Sequence, residues 1–202
     1  MDRSKLSIKC VEAEVFSAIR VSAYKTKLPH IIVDIGTRTT KFYVVYNGIV
    51  VSSMYLSQGG QSITSAISQT LGISFVEAEA KKRELGFDIP NEHIRDAILL
   101  VLDEIFTQVS ALILNFEQKY RQSVSKLILT GGGAAMKGIL EEAKMKVSIE
   151  VEVANPFTNL RYPAVVAEEL NKSGAVFTVA VGAALHALEN TCLLYTSPSP
   201  RD

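Results

Sequence analysis

Apolar and polar residues alternate at two different periods along the chain. Three consecutive apolar residues predict a buried strand over 30–34, and the alternation at 41–46 and 49–56 predicts two more strands. Asn47-Gly48 separates these two and predicts a tight hairpin, because both central positions of such a turn need a positive φ. Weaker alternation predicts three further strands, at residues 7–11, 126–129 and 148–153.

Helical spacing is clearest after Pro90. Two shorter helices precede that segment, at 61–71 and 75–84, and Ser74 with Glu77 forms a capping box at the start of the second. The long helix carries one apolar stripe, made of Ile98, Leu102, Ile105, Val109, Leu112, Phe116 and Tyr120. The spacing also predicts helices over 12–23, 135–146 and 176–188, with an irregular segment over 158–174.

The composition indicates a globular protein. Of the 202 residues, 48% are hydrophobic and 21% are charged, so the chain can bury a core and does not resemble a disordered or fibrous protein. The 21 basic and 21 acidic side chains balance, and no basic run interrupts them. This balance argues against nucleic acid as a main partner.

The cysteines and the apolar runs indicate the cellular compartment of the protein and whether it enters a membrane. Cys10 and Cys192 form neither a metal-ligand spacing nor a disulfide framework, which favours a reducing, cytosolic compartment. The longest uninterrupted apolar run is six residues, 97–102, whereas a membrane helix needs about 20. We therefore expect no direct membrane insertion. Residues 192–202 lack any periodicity and are either a flexible tail or foreign sequence joined to the end of the gene.

The loop over residues 34–41 combines a carboxylate, a glycine, hydroxyls and a cation. Gly36 allows the backbone to approach a ligand closely, and the N–H groups of residues 37–40 could form an anion-binding concavity. Asp34 suits a Mg²⁺ ion or an attacking water better than it suits a phosphate. An ordinary β-turn with a capping aspartate is the alternative.

A second loop, the Thr-Gly-Gly-Gly of residues 130–133, joins a predicted strand to a predicted helix. At such a junction a ligand meets free backbone N–H groups and the positive end of the helix dipole. The dinucleotide-binding glycine pattern does not fit, because Met136 occupies its last position, and Ile139 stands where a P-loop needs lysine. A flat base or sugar could lie against this loop, and a simple hinge is the alternative.

The two loops, in this order, resemble the actin-like ATPase superfamily, whose lobes are ribonuclease-H-like α/β domains. Within it the chain is similar to the PilM family of type IV pilus assembly, a relative of the division protein FtsA, over about residues 10–188. The resemblance implies a mixed sheet with hairpin strands and flanking helices. The motifs that carry it are Val33-Asp34-Ile35-Gly36 with Thr40, Gly59-Gly60, Leu71-Gly72-Ile73-Ser74, Glu77-Ala78-Glu79-Ala80-Lys81-Lys82, Leu129-Thr130-Gly131-Gly132-Gly133-Ala134, Asn155-Pro156-Phe157 and Val179-Ala180-Val181-Gly182.

The resemblance implies ATP and Mg²⁺ as ligands. It makes Asp34 the residue that holds the metal or polarises the attacking water, and it brings Gly36, Thr37 and Thr40 to the phosphates. The other implied contacts are Glu79 and Lys82 at the ribose or base, and Gly131, Gly132, Gly133 and Met136 around the adenosine. Glu79 and Lys82 also fit an ordinary solvated ion pair at i, i+3. Arg38 stands where the family more often has a small residue; it would either hinder a phosphate or pair with it.

The family has an earlier Asp-x-Gly loop in a first lobe, and none precedes Ile31. We therefore expect the C-terminal part of a longer protein, an incomplete actin-like fold. The expected division is the end of an inserted small subdomain over 1–28, the second lobe over 29–157 with an insertion at about 58–95, a segment returning to the first lobe over 158–190, and a non-native-looking tail over 191–202. Phosphoryl transfer needs groups from both lobes around the phosphates, so we expect weak or no ATP hydrolysis by this chain alone. Helix 176–188 would pack on the first lobe, so we also expect an exposed apolar face on this helix.

The family membership implied by the resemblance also suggests a partner. It is a PilN-like inner-membrane protein whose cytoplasmic N-terminal peptide binds mainly to the first lobe, so the protein would be cytoplasmic and peripheral to the inner membrane. An FtsA-like division protein, a small-molecule kinase and a scaffold that binds no nucleotide are the alternatives on the same fold.

Overall fold

The structure is a computed structural model that describes residues 11–22, 26–158 and 160–188. The protein has an α/β fold. One mixed five-stranded sheet has helices packed on both faces. The strands are β1 (His30–Ile35), β2 (Thr40–Tyr46), β3 (Ile49–Leu56), β4 (Lys126–Thr130) and β5 (Glu150–Val153). The helices are α1 (Glu14–Ser22), α2 (Gly60–Leu71), α3 (Phe75–Leu85), α4 (Glu92–Tyr120), α5 (Ile139–Lys146) and α6 (Ala167–Leu188).

The strand order places the two predicted loops at one edge of the sheet. The order is β3-β2-β1-β4-β5, in which β2 is antiparallel to its neighbours while β1, β4 and β5 are parallel. The register pairs Val33 with Leu129 and Asp34 with Thr130. The carboxyl ends of β1 and β4 therefore lie side by side, which is where ligands bind in open α/β sheets.

Local signals in the sequence explain the turns and caps. Asn47 (φ 53°) and Gly48 (φ 76°) both adopt the left-handed conformation, which confirms the predicted hairpin between β2 and β3. The Ser74 hydroxyl accepts a hydrogen bond from the Glu77 amide, and the Glu77 carboxylate accepts one from the Ser74 amide. The predicted capping box of α3 is thereby confirmed.

The predicted stripe of α4 forms the centre of the larger core. Ile98, Leu102, Ile105 and Val109 are completely buried between α2 and the face of the sheet that carries Val33. On the opposite face, a smaller cluster joins α1 to the sheet. Burial of a stripe of this length is the main favourable term in folding of such a layer.

Helix α4 is also long and apolar enough to cross a membrane, by length and composition alone. A core helix of a globular domain passes the same test, and the apolar stripe of α4 already packs on the sheet. No other helix among the described residues meets the criterion.

The helix predicted over 135–146 begins later than expected. A single 3-10 turn, Gly133–Ala135, follows the glycine triplet, and α5 starts only at Ile139. Gly138 has φ +80°, a left-handed conformation that interrupts helical continuity. The prediction that a helix dipole points directly at the triplet was therefore wrong, and the triplet presents a turn instead.

Helix α6 begins earlier than expected. The segment predicted to be irregular contains the 3-10 turn Ala164–Val166 and the first turns of α6, which starts at Ala167. These turns are exposed, and Lys172 pairs with Glu168 at 2.6 Å, so the apolar period that identifies a buried helix is absent there. Further along, Val176 and Phe177 are exposed on α6.

Helices α1 and α6 cross in close contact. A Cβ on Gly182 would collide with the backbone of Ser17. The buried Arg20 guanidinium donates to the Gly182 carbonyl at 2.9 Å, lies 3.1 Å from the His186 ring and pairs with Glu12 at 2.8 Å. The hydrogen bond from Arg20 holds the pKa of Glu12 below its ordinary value.

Some predictions fall outside the described residues. These are the strand over 7–11 apart from residue 11, both cysteines and the tail over 192–202. The division into lobes and subdomains stays a prediction.

Candidate functional site

The turn between β1 and β2 is fixed by hydrogen bonds on both sides. The Gly36 amide donates to the Thr39 carbonyl at 3.0 Å, which closes the turn. At the start of α2, the Gly60 amide donates to the Gly36 carbonyl at 2.9 Å and the Gln61 amide donates to the Thr37 carbonyl at 2.8 Å. The turn is thus tied to α2, and Thr37 and Arg38 project from it as exposed side chains.

The glycine triplet packs directly against this turn. Gly131 has φ +86°, and a Cβ there would collide with the Asp34 carboxylate. A Cβ on Gly133 would collide with the side chain of Ile35. Gly132 differs from both, because its φ is negative and a Cβ would meet no atom within 4 Å. Two of the glycines are therefore explained by packing, and the third borders open space.

The two turns and α3 enclose a cavity of about 770 Å³, within the usual size of a small-molecule site. Its walls combine backbone, cationic and apolar groups. The residues that line it are Gly36, Thr37, Arg38, Gly60, Gln61, Ile63, Phe75, Glu79, Lys82, Arg83, Gly132, Gly133, Ala135, Met136 and Val176. Three cations and one carboxylate give this wall a net positive charge, which favours an anionic ligand.

Glu79 is the centre of a polar network in the cavity wall. Its carboxylate accepts from Lys82 at 2.7 Å, from Arg83 at 2.7 Å and is 2.5 Å from the Thr64 hydroxyl. Burial raises the pKa of Glu79, but the hydrogen bonds from Lys82, Thr64 and Arg83 outweigh it and lower that pKa to about 2. The Glu79 carboxylate is ionised at neutral pH. The ion pair between Lys82 and Glu79 is partly buried, which distinguishes it from an ordinary solvated ion pair.

Lys82 connects this network to the turn. Its ammonium group donates to the Gly60 carbonyl at 3.0 Å, to the Thr64 hydroxyl at 2.8 Å and to Glu79. An ammonium has three N–H donors, so these contacts use all of them. Since Gly60 is itself bonded to Gly36, α3, α2 and the turn form one connected unit.

Asp34 lies behind the wall, at the end of β1. Burial raises the pKa of its carboxyl above the ordinary value, and the positive charge of Lys41 opposes that shift. Lys41 is itself paired with Glu14 of α1. One carboxylate beside ligand phosphates is a common Mg²⁺ environment, but Asp34 is not among the residues that line the cavity, so its part in holding a metal stays a prediction. No cluster of three or more metal-ligating side chains occurs in the described part of the chain.

The sequence-predicted residues do not all reach the cavity. Gly36, Thr37, Glu79, Lys82, Gly132, Gly133 and Met136 line it, whereas Asp34, Thr40 and Gly131 lie behind the wall. Thr40 is completely buried, and its hydroxyl donates to the Gln58 carbonyl at 2.8 Å. The structure thus places Thr40 where it supports the turn.

Sequence reasoning missed several residues of the wall. Phe75 is the first residue of α3 and Gln61 the second residue of α2, and helix starts near a glycine turn were an available signal. Val176 had no such signal, because the position of α6 relative to the triplet depends on the hydrogen bond from the Gly131 amide to the Ala175 carbonyl, 3.1 Å long.

Family comparison gives a match over most of the chain. The model of the family described as type IV pilus assembly protein PilM matches residues 1–188. Among curated proteins, the cell division protein FtsA of Bacillus subtilis (strain 168) is 29% identical over 168 residues, covering 73% of this chain and 38% of FtsA.

Solved structures share the fold. A PilM-PilN type IV pilus biogenesis complex matches with a TM-score of 0.74 and 22% identity, covering 89% of this chain and 53% of that one. MreB5 of Spiroplasma citri bound to AMPPNP matches with a TM-score of 0.67 and 18% identity, covering 88% and 59%. The chain therefore spans about half the length of the PilM chain and less than half of FtsA. It has the actin-like fold that the sequence predicted, and it belongs to the PilM family of type IV pilus assembly proteins.

Proposed function

We propose that the cavity binds ATP and that the protein is an actin-like switch or scaffold in type IV pilus assembly. The observation that carries this is Gly132, which borders open space. Neither its backbone conformation nor the packing around it requires a glycine at this position. The cavity that Gly132 borders is also lined by the cationic Arg38 and by apolar side chains such as Met136. A nucleotide has the matching anionic and flat apolar parts.

The backbone of the first turn would hold the phosphates. The turn is fixed before any ligand arrives, because Gly36 and Thr37 are bonded to α2. Pre-organised N–H donors lose little entropy on binding, which favours affinity. Thr40 contributes by fixing the end of the turn through the Gln58 carbonyl.

The triplet and Met136 would flank the adenosine, with Glu79 and Lys82 at the ribose or base edge. Gly132 supplies the open surface, while Gly131 and Gly133 hold the triplet against β1. Lys82 acts mainly by positioning, since its donors are already used. Glu79 keeps an ionised carboxylate that can accept from a ribose hydroxyl.

Asp34 would hold Mg²⁺ together with the phosphates, and the metal when bound neutralises phosphate charge. The carboxyl itself is desolvated, so its negative charge is poorly stabilised without a cation. A nearby cation would favour the ionised form and so couple metal and nucleotide binding.

The proposed partner is a PilN-like inner-membrane protein. A PilM chain of the same fold was solved as a complex with PilN. By this analogy the protein would act in the cytoplasm at the inner membrane, held by the cytoplasmic peptide of its partner.

Thermal unfolding tests the nucleotide proposal. ATP with Mg²⁺ at 100 times its dissociation constant should stabilise the protein by about 2.7 kcal/mol, and the melting temperature should rise. GTP and CTP at the same concentration control for non-specific anion effects. An unchanged melting temperature with millimolar MgATP would contradict the proposal.

An FtsA-like division role is a second candidate, because FtsA of Bacillus subtilis is similar in sequence over most of this chain. The two roles differ in partner. Binding of a PilN cytoplasmic peptide to the protein would favour pilus assembly, and no such binding beside intact ATP binding would favour the FtsA-like role.

A further inference from the structure

We propose that Arg38 is the residue by which the cavity recognises the phosphate charge of its ligand, an inference that rests on the proposed nucleotide site. Arg38 lies in the turn between β1 and β2, and its side chain lines the cavity. The site would then prefer nucleoside di- and triphosphates to the nucleoside through one guanidinium group.

The other cations of the wall are already engaged. Lys82 uses its three N–H donors on Gly60, Thr64 and Glu79. Arg83 donates to Glu79 at 2.7 Å, and its side chain is 78% exposed. Glu79 therefore balances much of the charge that these two residues bring.

Arg38 differs from both. Among the described residues it has no ion pair and no side-chain hydrogen bond, although it is exposed at the mouth of the cavity. A guanidinium offers five N–H donors in a planar fork that matches phosphate geometry. All five of its N–H donors are therefore available to a ligand anion, whereas Arg83 gives its Nε–H to Glu79 and Lys82 has no donor left.

The backbone of Arg38 is held in place while its side chain is free. The closing hydrogen bond from Gly36 to Thr39 and the bond from Gln61 to Thr37 fix the residues on either side. Only side-chain freedom is lost when the guanidinium binds, and a bidentate contact to phosphate returns more than a single hydrogen bond would.

The test is a ligand series measured by calorimetry on the full chain. Wild type, Arg38→Ala and Arg38→Lys are titrated with adenosine, ADP and ATP in the presence of Mg²⁺. We expect Arg38→Ala to weaken ATP and ADP binding by about tenfold to a hundredfold, as for loss of a charge-assisted hydrogen bond. Adenosine affinity should stay within about twofold, and Arg38→Lys should recover part of the loss, because lysine keeps the charge without the fork.

Arg161→Ala is the matched control, since Arg161 is an exposed arginine that does not line the cavity. It should change ATP affinity by less than about threefold. Equal losses for ATP and adenosine in Arg38→Ala, or an effect of Arg161→Ala as large as that of Arg38→Ala, would overturn the inference and leave the proposed nucleotide site standing. A wild-type chain that binds neither ADP nor ATP would overturn the proposed function itself.

Discussion

At the scale of single residues, Asp34 combines a structural disadvantage with a proposed role. Burial raises the pKa of its carboxyl, so ionising Asp34 is harder in the folded chain than in the unfolded chain, where the ordinary value is 3.8. Above that pH the charge favours unfolding, because the unfolded state releases the proton more easily. A residue that opposes stability yet lies between two glycine-lined turns is typical of a functional site.

We expect Asp34→Asn to raise the melting temperature of the nucleotide-free protein at pH 7. The gain should shrink as the pH falls through the raised folded-state pKa of Asp34, and it should vanish well below pH 3.8, where the carboxyl is protonated in both states. The same variant should lose the Mg²⁺-dependent part of nucleotide stabilisation. Scanning fluorimetry at several pH values, with and without MgATP, measures both effects. A lower melting temperature at pH 7 would contradict the assignment of a desolvated carboxylate.

Substitutions at the neighbouring residues Gly132 and Gly133 distinguish a packing role from a binding role. A Cβ at Gly133 meets Ile35, whereas a Cβ at Gly132 meets nothing. Gly133→Ala should therefore destabilise the protein by about 1–3 kcal/mol, as for overpacking. Gly132→Val should leave the melting temperature within about 2 °C and weaken ATP binding about tenfold or more, since the side chain enters the cavity. If Gly132→Val binds ATP normally, the nucleotide does not lie against the triplet.

At the scale of elements, the link between α2 and α3 depends on Glu79. The pKa of Glu79 is lowered from 4.5 to about 2, so its ionised form stabilises the folded state above pH 4.5. That stabilisation is lost as the pH falls from 4.5 to about 2.

Glu79→Gln should accordingly destabilise the protein at pH 7 by on the order of 1–3 kcal/mol. The difference from wild type should narrow below pH 4.5. Urea unfolding at pH 7 and pH 4 measures it. Glu168→Gln is the control, because Glu168 is paired at i, i+4 on the fully exposed start of α6 and should change stability little. A pH-independent effect of Glu79→Gln would contradict an ionic role.

The crossing of α1 and α6 permits no side chain at Gly182. Gly182→Ala would place a Cβ against the Ser17 backbone and move the carbonyl that accepts from Arg20. We expect a loss of about 1–3 kcal/mol by chemical denaturation, although alanine is the better helix former. Ala183→Leu, on the exposed side of the same turn, should be nearly neutral. Equal effects would mean that the helices do not cross as described.

Elements with a local cause were predictable from the sequence. The hairpin follows from Asn47-Gly48, the start of α3 from Ser74 and Glu77, and the burial of α4 from its stripe. Elements whose limits depend on distant contacts were not. Gly138 directly precedes α5, and a side chain there would collide with Phe87, 51 positions earlier in the sequence; no local pattern reports that contact.

The site shows the same division. The turns at Gly36 and Gly132 were identified from their residue types and their order along the chain, although an ordinary β-turn and a simple hinge were open alternatives. Thr40 was expected at the phosphates but lies behind the wall, because alternation along β2 directs it into the core. His186 had no partner at close spacing, and its partner Arg20 lies on α1.

At the scale of the whole molecule, α4 joins the helical pair α2–α3 to the sheet. Its apolar surface contacts α2 on one side and the strands on the other. The two parts should therefore unfold together, as in a single cooperative domain.

Leu102→Ala, at a completely buried position of α4, should cost about 2–5 kcal/mol. Leu114→Ala, at a position 59% exposed on the same helix, should change stability by less than about 0.5 kcal/mol. Within each variant, far-ultraviolet circular dichroism and tyrosine fluorescence should report the same unfolding midpoint, as expected for one cooperative unit. A Leu102→Ala variant as stable as wild type would mean that α4 is not the core helix of this fold.

The contact between Arg20 and Gly182 has a consequence for synthesis of the chain. The two residues are 162 positions apart, and ribosomes add roughly 5–20 residues per second. Helix α1 therefore leaves the ribosome many seconds before the helix that accepts its guanidinium. During that interval Arg20 and its apolar neighbours are exposed to solvent or bound by a chaperone. Limited proteolysis of nascent chains stalled before and after residue 188 should show cleavage within α1 only in the shorter ones.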